Sequence, residues 1–170
     1  MSEQHKQLLR RYITQMWQEG QEEVAQELFD PSFRYPEDRV LPPTRVSGMD
    51  EKSLLYEIRT NRQVFSNLHV DVRDVVAEDQ QVIAHGVVTG THSGPARFYL
   101  MDTRTDRRVE PTNRHLAAEM ICFAQVRDGR IQQVRHVWSP MSLLQQLALL
   151  TTDYGAEKLL DYLTKDTART

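Results

Sequence analysis

A chain of 170 residues suits a single domain, one able to bury roughly 70% of its unfolded surface without a covalent staple. Its 21 basic and 24 acidic residues leave a formal net charge of −3, which gives no footprint for nucleic acid, and no apolar run approaches the roughly 20 residues of a membrane helix. The single Cys122 excludes an intramolecular disulfide, and the polar stretch from Ser2 to Arg11 lacks an apolar secretory core, so the expected setting is the cytoplasm.

Leu8, Leu9, Tyr12, Ile13, Met16 and Trp17 recur at the spacing of one helical face, with Gly20 where the helix should stop. Val24, Ala25, Leu28 and Phe29 predict a short second helix that ends before Pro31. An extended piece from Phe33 to Tyr35 leads into a loop with Pro36, Pro42 and Pro43, after which Asp50 can cap a third helix carrying Leu54, Leu55, Ile58 and Phe65.

From Leu68 onward the period changes to two: Leu68, Val70 and Val72 alternate with His69, Asp71 and Arg73, the signature of a half-buried strand. Turn residues Glu78 and Asp79 precede a second strand, Val82 to His92. Ser93 to Pro111 is a long polar connection, a candidate rim or lid with a short strand at Arg97 to Met101. His115 to Val126 and Ile131 to Trp138 then flank Asp128-Gly129, a strong hairpin signal, and the extended runs together predict an antiparallel sheet. Leu143, Leu144, Leu147 and Leu150 fall at helical spacing, and Leu159, Leu160 and Leu163 suggest one more helix. The resulting plan is an α+β domain over residues 1–150 with a C-terminal helical extension over 151–170.

Several segments, in this order, carry a resemblance. Glu27 to Phe33 follows Trp17-Gln18-Glu19-Gly20; Asp74 to Asp79 leads to Thr89-Gly90-Thr91-His92-Ser93-Gly94; Pro111-Thr112 and Val126 to Ile131 follow; and Leu143-Leu144-Gln145-Gln146-Leu147 closes the set. In sequence and spacing these resemble the SnoaL-like polyketide cyclases of the NTF2-like superfamily, over nearly the whole chain. The resemblance implies an NTF2-like cone, a curved antiparallel sheet wrapped around N-terminal helices, often dimeric through the outer face of the sheet. It also implies a shielded small-molecule pocket and chemistry without metal or cofactor.

In that family an aspartate just before the last helix serves as acid and base in an intramolecular aldol ring closure. Counting back from Leu143 to Leu147 puts Ser139 at this position, and a serine without an activating base cannot take a proton from a carbon acid near neutral pH. Ser139 is read as a helix N-cap ahead of Pro140, with a ligand contact as the alternative. Three groups are candidates for the proton transfer: His92 in the Gly-Thr-His motif, His85, and Glu119 in an otherwise apolar strand. Since His85 and His92 are seven residues apart, an unbroken strand turns only one of them inward. Glu119, if buried, needs a partner such as Arg34 or Arg62. Tyr12, Trp17, Tyr35 and His136 are candidate contacts to an apolar or aromatic ligand, and the histidines lack the spacing of a zinc site. Three functions remain open: a cofactor-independent cyclase, isomerase or hydrolase acting on a bulky apolar metabolite, a non-catalytic module that holds such a ligand, and a domain that serves chiefly as an oligomeric scaffold. A homodimer is expected because both faces of His115 to Val126 are apolar.

Overall fold

The structure is a computed structural model that describes residues 2–34, 50–97 and 108–149. Tyr35, the proline-rich loop, the middle of the 93–111 connection and the 151–170 extension lie outside the described residues.

The N-terminal apolar stripe forms α1 (Ser2–Arg11) and runs on into a π-helical stretch, Tyr12–Gln18, that buries Tyr12, Ile13 and Met16. The amide of Glu19 donates to the carbonyl of Thr14, five residues back, at 2.9 Å. Arg62 donates to the carbonyls of Trp17 and Gln18 at the end of this stretch, satisfying acceptors that the helix leaves open. One 3-10 turn, Glu22–Val24, leads into the short α2 (Ala25–Leu28).

The chain becomes extended at Phe29, four residues sooner than the sequence pattern suggested, as β1 (Phe29–Arg34). Pro31 fits there because β1 is the sheet's edge strand, where a missing amide hydrogen is tolerated. As expected, Asp50 caps α3 (Glu51–Val64), its carboxylate accepting from the amide and hydroxyl of Ser53 at 3.0 and 2.9 Å.

Without a loop, α3 passes into β2 (Phe65–Glu78), which is followed by β3 (Gln81–His92), the two-residue strands β4 (Ala96–Arg97) and β5 (Arg108–Val109), β6 (His115–Arg127) and β7 (Arg130–Trp138). The main sheet has the order β1-β7-β6-β3-β2, and β4 pairs with β5 as a separate ribbon. All its pairings are antiparallel except β1 with β7, a departure from the purely antiparallel expectation. A parallel partner is possible here because the chain between β1 and β7 is far longer than any crossover requires. Asp128 and Gly129 turn the last hairpin with φ of 49° and 73°, the left-handed pair that a two-residue connection favours. Register shifts between Ser66 and His69, between Val72 and Asp74, and between Gln125 and Val126 bend the sheet.

Helix α4 (Pro140–Gln146) is strapped to β6 by one side chain: the Gln146 amide accepts from the Ala117 N–H at 2.8 Å and donates to its carbonyl at 2.9 Å. The core on the concave side divides in two. The larger cluster joins Leu9, Tyr12 and Met16 to Leu54, Ile58 and the inward residues of β3, β6 and β7. A smaller one gathers Val64, Phe65, Leu116, Ala118, Leu143 and Leu147.

Candidate functional site

In an α-helix, residues five apart point about 140° away from each other. The π-helical stretch removes that divergence and brings Tyr12 and Trp17 together. Trp17 Nε1 donates to the Tyr12 hydroxyl oxygen at 2.7 Å, and the Tyr12 hydroxyl lies 3.2 Å from His136 Nε2. The indole can only donate, so the Tyr12 oxygen accepts there and its hydroxyl hydrogen is placed to serve the imidazole. The Tyr12 and His136 rings stack with centroids 5.9 Å apart, and Trp17 meets His136 edge-on at 5.1 Å. Phe29 and Phe33 extend this aromatic row behind Tyr12.

His136 sits opposite Cys122 in the β6–β7 register, and Cys122 is fully buried, so both face the concave side. Burial holds the His136 imidazole down at about 4, which keeps it neutral near physiological pH. The Cys122 thiol is pushed up to about 12 by the same cause, so it offers no thiolate there.

The remaining candidates occupy three other places. His92 faces inward and is fully buried, whereas His85 faces outward, as their odd separation requires. Nδ1 of His92 accepts from the Thr112 amide at 3.2 Å and lies 3.1 Å from its hydroxyl, which ties β3 to the segment before β6; Phe65 packs against the ring. Burial lowers the His92 pKa, opposed by a hydrogen bond with the Gly94 backbone. His85 stands on the outer face with Nδ1 3.4 Å from Asp74 and Nε2 3.9 Å from Glu119. Glu119 is itself 78% exposed, so it needs no arginine partner; Arg34 and Arg62 instead serve backbone carbonyls. The strand alternation that buries Ala118 turns Glu119 to the other side.

Ser139 is exposed and caps α4, its hydroxyl accepting from the Ser142 amide at 3.3 Å. The site therefore gathers Tyr12, Trp17 and His136, while His92, His85 with Glu119, and Ser139 stand apart from that group and from one another.

Two residues that sequence reasoning passed over belong to the concave side. Trp138, opposite Met120 and two residues beyond His136, shares the inward face of β7 yet remains 47% exposed. Glu57 is half-buried on α3, three residues after Leu54, and burial alone raises its carboxyl to about 7. On a helical wheel of α3 Glu57 lies about 80° from the direction shared by Leu54 and Ile58, further round than Glu51, so the apolar pattern does not single it out. Two open depressions, of about 430 and 280 Å³, lie instead on the outer hairpin surface around Val76, Gln81, Ile83 and Phe123, away from the aromatic group.

Comparison with known proteins places this geometry in context. Among solved structures, the chain is similar to TsrD from Streptomyces laurentii, with a TM-score of 0.67 and 18% identity over 87% of this chain and 97% of that one. It is also similar to IdmH from Streptomyces antibioticus, a proposed polyketide cyclase, with a TM-score of 0.64 and 24% identity over 85% and 99% of the two chains. A third similar structure is a Catenulispora acidiphila protein of ketosteroid isomerase-like fold in complex with trimethylamine, with a TM-score of 0.61 and 16% identity over 86% and 95%. Identities this low establish a shared fold and nothing finer. No curated protein matches the sequence significantly. The sequence profile of the SnoaL-like polyketide cyclases, however, matches residues 7–147, so this chain belongs to the SnoaL-like polyketide cyclase family.

Proposed function

We propose that this protein holds a bulky, mostly apolar small molecule on the concave side of its sheet and acts on it by cofactor-independent general acid–base chemistry, as a cyclase or isomerase. The single observation that carries this reading is the chain Trp17–Tyr12–His136, in which two ring N–H or O–H groups and a neutral imidazole are assembled inside an otherwise apolar core by a local π-helical distortion. A polar network of this kind contributes little that an apolar core would not, and π-helical stretches recur at functional sites. Flat aromatic walls with a few fixed polar groups suit an aromatic or polycyclic ligand.

A second reading, a binding module without turnover, is supported by Ser139: the position matching the family's aspartate here caps a helix. In either case we propose that two copies associate through the outer face, where Val76, Ile121, Phe123 and Val137 are exposed beside one another.

Native mass spectrometry of the protein isolated from its own source tests the pocket directly. A co-purified small molecule lost in a Tyr12→Phe, His136→Phe double variant supports the reading. A ligand retained by that folded variant places binding elsewhere and overturns it.

A further inference from the structure

On the convex face, strand alternation and register arrange the outward side chains in rows that run across β2, β3, β6 and β7. The middle row reads Val76, Ile83, Phe123 and Arg135. One step along, Ile121 and Val137 pair in the next row, and with Val76 and Phe123 they form an exposed apolar patch centred between β3 and β6.

Charge divides this face from edge to edge. Asp74 and Glu78 flank Val76 on β2, whereas Arg135 closes the row on β7. Three strand spacings, about 14 Å, separate the acids from the arginine, too far for them to pair within one chain. Arg73, also on β2, is turned to Asp71 at 3.5 Å, and His85 and Glu119 lie towards the centre, where they give the face no direction. Two copies packed through such a face with aligned strands can be related by a two-fold axis across the strands or along them. An axis across the strands lays β2 on β2 and β7 on β7, which gathers four carboxylates in one place and two guanidinium groups in another. An axis along the strands lays β2 on the partner's β7, so that each arginine meets a pair of acids. Shape selects the same axis. A depression of about 430 Å³ lies over Val76, Glu78, Gln81 and Ile83, and Phe123 projects from the neighbouring strand. The axis along the strands sets Phe123 opposite Ile83 of the other copy, at the rim of that depression, whereas the axis across them sets β6 on β6.

We propose that two copies of this chain pack convex face to convex face about a two-fold axis parallel to β3 and β6, with Arg135 of each held between Glu78 and Asp74 of the other. The proposal rests on the reading that two copies associate through this face and adds the arrangement that pairs them. Burial of the apolar patch supplies the attraction, and the acid and base edges fix which way round the copies meet. The two concave sides then open away from each other, so each copy keeps its own Tyr12, Trp17 and His136 group.

The test is a charge exchange, followed by sedimentation equilibrium of the full chain at low ionic strength. Wild type is expected to be a dimer. Arg135→Glu should raise its Kd at least about tenfold, since it sets like charges against each other at two contacts; Glu78→Arg should raise it less, because Asp74 remains. Mixing the two variants should give a heterodimer tighter than either homodimer, because the new glutamate of one copy meets the new arginine of the other while the second contact is that of wild type. Both side chains are exposed, and recovery on mixing shows that both variants are folded. A monomeric wild type overturns the association together with its axis. A dimeric wild type whose Kd stays within twofold in Arg135→Glu overturns the axis and leaves the association standing. Weakened variants that do not recover on mixing also overturn the axis, since the loss then belongs to each copy's own surface.

Discussion

At the scale of single residues, the inward-facing His136 gives the fold a defined response to acid. The imidazole takes up its proton near 6.5 in an unfolded chain but only near 4 in the folded one. Between those values the unfolded state binds the extra proton, so the contribution of His136 to stability is present above about 6.5 and is lost as the pH falls toward 4. Glu57 acts in the opposite sense, since its raised pKa makes the folded state lose stability as pH rises from about 4.5 through 7. A comparison that holds Glu57 constant isolates the histidine: the Tm advantage of wild type over His136→Phe should shrink steadily from pH 7 to pH 4.5. A gap independent of pH in thermal melts would show that His136 stays protonatable in the fold. Little of this was legible in the sequence. Parity along β3 required that only one of His85 and His92 turn inward, because a strand alternates strictly, and the structure shows that it is His92. Tyr12 and Trp17 were legible as members of one apolar stripe, but their direct hydrogen bond was not, because residues five apart stand about 140° apart at the edges of that stripe until an i to i+5 turn intervenes, and no pattern of apolar residues announces that turn.

At the scale of elements, two short motifs owe their composition to joints between helix and sheet. Gly94, closing the run from Thr89, donates to the Val64 carbonyl at 3.0 Å, and a Cβ on it would stand 2.0 Å from the Gln63 carbonyl oxygen. The end of β3 therefore passes the C-terminus of α3 at a separation that only glycine allows. Gly94→Ala must push the two backbones apart, and a destabilisation of about 1–3 kcal/mol is expected by urea unfolding. A neutral result would mean that the joint is soft. At the other joint, Ser139→Ala removes the α4 cap and should cost about 1 kcal/mol, leaving any turnover intact. Turnover lost at unchanged Tm would instead put Ser139 in the site. The element order, the Asp50 cap and the Asp128-Gly129 hairpin all followed from local signals. The parallel pairing of β1 with β7 did not, since it joins segments about a hundred residues apart and no local pattern specifies such a partner.

Across the whole molecule, the two faces of the sheet divide the work. The concave face carries the aromatic and histidine chain, while the convex face presents Ile121, Phe123 and Val137 around the Asp74, His85 and Glu119 cluster. If that convex face is covered by a second copy, light scattering at micromolar concentration should give twice the monomer mass, and Phe123→Asp should return it to the monomer mass. A wild-type protein that scatters as a monomer rules out the association. The most direct test of the account as a whole uses the fact that the chain has two tryptophans, both placed on the concave side. In nitrogen-15 labelled protein, titration with 2-tetralone, a bicyclic aromatic ketone, should move the indole resonances of Trp17 and Trp138 together along one saturable curve, with the backbone amides of Ile83 and Phe123 on the outer face unmoved. Shifts confined to the outer-face amides, with both indoles stationary, would contradict a ligand site on the concave side.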